Sequence, residues 1–125
     1  MAERVGVFWT NEEAYEMQLR LRSEVSGSVV VVDLREEYRI YAGSRFTVYA
    51  LYLECNISIT LQPNADNDLV TLAVGKSIVN RSSQADIGTI LLGFGGGGHK
   101  AAGTCQVPHD DVDDVVGELI QKIEA

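Results

Sequence analysis

The sequence predicts an α/β domain in which a mixed β-sheet of about five or six strands carries helices packed on its faces. Three observations lead there. Residues 28–34 contain four consecutive valines, the pattern of a strand covered on both sides. Two later runs alternate apolar and polar residues on either side of the turn-forming string Pro63-Asn64-Ala65-Asp66-Asn67. Residues 112–123 repeat their apolar positions at helical spacing.

The elements follow in chain order. Arg4 to Trp9 is β-branched and aromatic and reads as a short strand. Thr10 with Glu13 three residues later has the form of a capping box, so a helix is expected to begin there. Ala14, Met17, Leu21 and Val25 share one helical face, which predicts a helix over 11–25 packed on the sheet by that face and stopped at Ser26-Gly27. Ser28 to Leu34 is the interior strand. Arg45 to Leu53 suits a helix or a strand by composition, and the cap offered by Gly43-Ser44 favours the helix.

Asn56 to Gln62 puts Ile57, Ile59 and Leu61 on one side, Asp68 to Val74 alternates likewise, and the pair predicts a hairpin. Asp86 to Leu92 reads as a short helix with Ile87, Ile90 and Leu91 inward, ended by Gly93. Thr104 to Val107 is a short strand. Pro108 and the aspartates after it open a last helix whose stripe is Val112, Val115, Val116, Leu119, Ile120 and Ile123. Asp110, Asp111, Asp113 and Asp114 complement the positive end of that helix, and Lys122 its negative end.

At 125 residues the chain is one domain, 1–125, with no room for a second. Its 46% hydrophobic and 22% charged residues fit a folded protein and not a disordered one. No apolar run approaches the ~18 residues of a spanning helix, and the start lacks the basic-then-apolar layout of a secretory signal, so the expectation is a cytoplasmic protein with no membrane partner. Cys55 and Cys105 have no CxxC spacing; reduced thiols are expected, and neither a disulfide framework nor a zinc ribbon is encoded.

A net charge of −8 disfavours broad coating of nucleic acid. The charge is uneven, however. Residues 109–125 hold six carboxylates against Lys122, while residues 76–104 hold Lys76, Arg81 and Lys100 against Asp86 alone. An anion site belongs in the second stretch.

That stretch contains Gly95-Gly96-Gly97-Gly98-His99-Lys100-Ala101-Ala102-Gly103. Four glycines in a row cost roughly 0.5–1 kcal/mol each relative to alanine, so something must be gained. Uncovered N–H groups in a concave nest, followed by a helix beginning at His99-Lys100-Ala101-Ala102, would hold a phosphate. His99 would donate to a phosphate oxygen or sugar hydroxyl, and Lys100 would add charge if turned inward. A flexible connection with a surface histidine is the competing reading. The spacing matches neither the dinucleotide fingerprint G-x-G-x-x-G nor the P-loop.

Gly-Gly-Gly-Gly-His followed by Ala-Ala-Gly resembles the signature of the first type of DHH-associated domain, the C-terminal substrate-binding module of the DHH-family phosphoesterases. The family includes oligoribonucleases, single-strand exonucleases, exopolyphosphatase-related proteins and cyclic-dinucleotide phosphodiesterases. The resemblance is strongest over 69–107 and takes in Val74-Gly75-Lys76-Ser77-Ile78-Val79-Asn80-Arg81-Ser82, similar to the strand-end Ser and Arg-Ser that members place beside the glycine loop. It implies that Arg81 grips a substrate phosphate, a task suited to a bidentate guanidinium, and that His99 with the glycine backbone holds the nucleotide. Three residues separate Ser77 from Arg81, unlike the commoner Ser-x-Arg-Ser, which leaves Ser77 and Asn80 as alternatives for the polar residue facing the ligand. Taken alone, Arg81 reads as a solvated charge.

The Asp-His-His motif that names the family is absent from the sequence, so the chain is expected to lack a catalytic domain and to be inactive alone. By the resemblance, a divalent metal such as manganese would belong to a separate DHH domain, a partner in cis or in trans. No cofactor is expected in this chain, and no metal ligands or catalytic residues. His99, Cys105 and His109 fit no common zinc spacing. The expected ligand is a phosphorylated one, a short single-stranded oligonucleotide, a nucleotide or polyphosphate. The alternative is an interaction or self-association domain that keeps the glycine loop for packing, with Tyr38, Tyr41, Tyr49 and Tyr52 as its candidate patch.

Overall fold

A computed structural model describes residues 11–35, 46–63, 68–77, 82–83 and 85–124. The elements are α1 (Asn11–Arg22), β1 (Ser23–Ser26), β2 (Val29–Asp33), α2 (Phe46–Leu51), β3 (Ile57–Pro63), β4 (Leu69–Lys76), α3 (Ile87–Leu92), β5 (Gly97–His99), β6 (Ala102–Pro108) and α4 (Val112–Glu124), with a 3₁₀ turn at His109–Asp111 leading into α4. Among the described residues the sheet has six strands in the order β1-β2-β3-β4-β6-β5. It is mixed: β2 and β3 run parallel and the other neighbours antiparallel.

Register sorts the side chains. Val29 and Val31 stand beside Ile57 and Ile59, and these beside Lys76 and Val74. With Leu72, Val70, Cys105 and Val107 the aliphatic residues among them make one apolar face, which α3 and α4 cover through Ile87, Leu91, Val112, Leu119 and Ile123, and Lys76 stands at the end of that row. Full burial of each large aliphatic side chain here, such as Ile59, Leu72 or Leu119, contributes about 1.5–3 kcal/mol. The other face differs along its width. Over β2 it carries Val30 and Val32, packed with Leu34, Leu19 of α1 and Val48 and Tyr49 of α2. From β3 towards β5 it changes to Ser58, Thr60, Ala73, Gly75, Ala102, Thr104 and Gly97, all paired across the strands.

The four valines do form an interior strand, because β2 is the place where helices lie on both sides of the sheet. The β3–β4 hairpin, the helix at Phe46–Leu51, the short α3 and the stripe of α4 also form as expected. Asp86 caps α3 by accepting from the Thr89 amide at 3.2 Å, and Gly93 ends it.

Two expectations change. The helix from residue 11 stops at Arg22, and Ser23–Ser26 is a strand instead, because its backbone pairs residue by residue with β2 from Ser23↔Val32 to Ser26↔Val29. Ser26-Gly27 therefore begins a hairpin turn, with Gly27 at φ 60° as a two-residue connection requires. The face expected to pack is largely outward: Met17, Leu21 and Val25 are 46%, 71% and 41% exposed, while Gln18 and Leu19 are the buried ones among the described side chains of α1. The expected strand at Arg4 to Trp9, the caps at Thr10 and Gly43-Ser44, and the turn residues 64–67 lie outside the described residues.

Cys55 and Cys105 are free and buried, and desolvation pushes both thiols above the ordinary range. Among the described residues no helix is long and apolar enough to cross a membrane.

Candidate functional site

The glycine run does not lead into a helix. His99 pairs with Ala102, Gly98 with Gly103 and Gly97 with Thr104, so Lys100-Ala101 is the turn of a hairpin. The carbonyls of that turn explain the outcome: Lys100 O accepts from the Ile87 amide at 3.0 Å and Ala101 O from the Lys76 amide at 2.9 Å, tying the turn to the start of α3 and the end of β4.

The glycines themselves divide in two. The Gly95 and Gly96 amides donate to Leu92 O and Leu91 O, finishing α3, and are thus committed to the protein's own carbonyls. Gly98, at φ 154°, lies so close to β6 that a Cβ would run into the Ala102 carbonyl and the Gly103 Cα. Close approach continues on the helix side, where a Cβ on Gly88 would stand 2.7 Å from Gly98 O. Much of what the run gains is backbone contact between α3, β5 and β6.

A groove of about 610 Å³ opens over the small polar part of the sheet. Tyr15, Val48 and Tyr49 from α1 and α2 wall it on one side, β5 bounds it on the other, and Gly75, Ala73 and Ala102 are among its floor residues. Three of the residues singled out in the sequence, Gly97, Gly98 and His99, line it together. His99 is exposed and its Nδ1 accepts from the Ala101 amide at 3.3 Å, so in the neutral ring Nε2 carries the hydrogen.

Other expected residues fall elsewhere. Gly95, Gly96 and Lys100 do not line the groove, and Lys100 is exposed on the hairpin turn. Ser77 is 4% exposed, its amide donating to Asn56 O at 2.8 Å. Asn80 and Arg81 lie outside the described residues.

Several residues of the groove escaped the site reading, and three of them bear on its chemistry. Lys76, noted only for its charge, is a lining residue at the end of β4; it stands beside Ile57 in register, so its side chain leaves the sheet on the face opposite Gly75, where Nζ donates to Ser83 O at 3.4 Å with no carboxylate partner among the described residues. Tyr49 and Ser58 line it as a hydrogen-bonded pair, Oη to Oγ 3.0 Å. The signal for Ser58 was the alternation of β3, which must turn its polar side away from Ile57 and Ile59.

Among the described residues no three of His, Cys, Asp and Glu come together where they could hold a metal ion. These residues do not fit such a centre, and no chemical step is assigned to one.

The chain superposes on the pGpG-specific phosphodiesterase PggH from Vibrio cholerae with a TM-score of 0.87 and 45% sequence identity over 91% of its own length. The likeness fits the DHH-associated domain that the glycine motif resembles. An exopolyphosphatase-related protein from Bacteroides fragilis shares the fold, with a TM-score of 0.67 at 12% identity over 93% of the chain. The domain spans 39% of the length of the first protein and 36% of the second. No family profile and no curated protein sequence matches it.

Proposed function

We propose that this chain is a DHH-associated domain, the nucleotide-phosphate-binding module of a phosphoesterase. The observation that carries the reading is one groove lined by His99 and the backbone of Gly97 and Gly98, with Lys76 at the strand end beside it, within the basic stretch of an acidic chain. Lys76 supplies a cation without a carboxylate partner among the described residues, and the imidazole a directed donor. Arg81 supplies a second cation in this reading, Ser77 or Asn80 a polar contact, and Lys100 long-range charge from the turn. The 45% identical relative acts on pGpG, which favours a short ribonucleotide over polyphosphate as the ligand. Hydrolysis is assigned to a separate metal-bearing DHH domain.

Amide NMR of the full chain titrated with pGpG, adenosine monophosphate and polyphosphate tests this. Shifts in Gly97–His99 and Lys76 that weaken with salt are expected. Absence of shifts with all three overturns the reading.

A second reading, self-association, finds support in the outward Met17, Leu21 and Val25. Tyrosines do not carry it among the described residues, since Tyr49 is buried and Tyr52 half-buried; Tyr38 and Tyr41 lie outside them. A dimer by light scattering that Leu21→Glu dissociates would establish it.

A further inference from the structure

Tyr49 and Ser58 are 6% and 7% exposed, and both line the groove. Two hydroxyls carry two hydrogens, and the bond between them uses one. Among the described residues neither has a further partner, so one O–H is left over beside open lone pairs. A buried hydroxyl hydrogen without an acceptor is destabilising, and packing alone would be served as well by Phe and Ala. Gly75 keeps the pair uncovered: it stands opposite Ser58 in register, and a Cβ there would lie 3.3 Å from Tyr49 Oη.

We infer that the Tyr49–Ser58 pair reads a sugar hydroxyl of the bound nucleotide. One donor hydrogen next to free acceptor lone pairs complements a group that donates and accepts at once. A phosphate only accepts, and Lys76 and His99 serve it better. Ser58, Gly75, Ala102 and His99 form a single row across β3, β4, β6 and β5. The ends of that row are three strand spacings apart, roughly 14 Å, and side chains reaching in shorten the gap towards the size of one nucleotide. The ligand class is therefore ribose-bearing. This inference rests on the nucleotide reading of the groove.

Calorimetric titration of the full chain with guanosine 5′-monophosphate and its 2′,3′-dideoxy counterpart separates the two. The natural chain is expected to bind the ribonucleotide about tenfold tighter, because a site built around a hydroxyl rejects the analogue lacking it. Tyr49→Phe with Ser58→Ala removes both partners at once, leaves no orphan and should fold normally. It should bind both ligands equally, at the dideoxy level, and Gly75→Ala should do the same with both hydroxyls present. Equal binding by the natural chain, or a preference surviving in the double variant, overturns the hydroxyl role and leaves phosphate binding standing. No binding of either ligand by any variant overturns both.

Discussion

Ser28 gives both its amide and its hydroxyl hydrogen to one carboxylate oxygen of Glu124, at 2.8 and 2.9 Å, across 96 positions of sequence. The turn between β1 and β2 is thereby pinned to the last turn of α4. First the backbone donor and then the hydroxyl hold the Glu124 carboxyl below its usual range. A depressed folded value stabilises above the ordinary glutamate range and loses that contribution as pH falls through it. Glu124→Ala should cost about 0.5–1 kcal/mol at pH 7, discounted for solvent exposure, and almost nothing near pH 3. Urea midpoints at the two pH values check this, and identical penalties at both would remove the link.

The contact between α3 and β5 depends on a missing side chain. Since a Cβ on Gly88 would meet Gly98 O at 2.7 Å, Gly88→Ala must push the helix from the strand. A loss of about 1–3 kcal/mol is expected, with weaker ligand binding because Gly98 and His99 move. Thermal unfolding beside a binding isotherm reads both. Gly117→Ala, where nothing lies within 4 Å of the added carbon, is the control and should stabilise by a few tenths of a kcal/mol.

Lys76→Met and His99→Ala address the ligand directly. Each should weaken nucleotide binding about tenfold, and Lys76→Met should also flatten the dependence of affinity on salt. Stability should change by less than about 0.5 kcal/mol, since neither side chain belongs to the core. Calorimetry at two salt concentrations gives the outcome, and unchanged affinity in both variants would count against the groove.

Burial raises both thiols, and Cys55 and Cys105 lie in separate clusters of the core. A disulfide exchange reagent should label neither at neutral pH in the folded chain and both once denaturant is added. Prompt labelling of either in the native state would show that its cluster opens.

The helix at α1 shows where sequence patterning stops. Ala14, Met17, Leu21 and Val25 keep helical spacing, yet Val25 belongs to β1, because β2 offers backbone partners to Ser23–Ser26. No local period encodes that partner. The glycines show the same limit: their entropic cost is visible in the string, but the backbone of Gly88, Thr104 and Cys105 that they approach lies outside it.

By itself the sequence determined the α/β class, the doubly covered strand, the β3–β4 hairpin, the stripe of α4 and the family signature, because each is written in neighbouring residues through periods of 2 or 3.6 or through a contiguous motif. Only the tertiary structure decided that the glycine run is one arm of an edge hairpin, that His99 shares a groove with Lys76, and that Tyr49 meets Ser58. Those facts depend on strand register and on which helix covers which part of the sheet, and both are fixed by contacts between residues far apart in the chain.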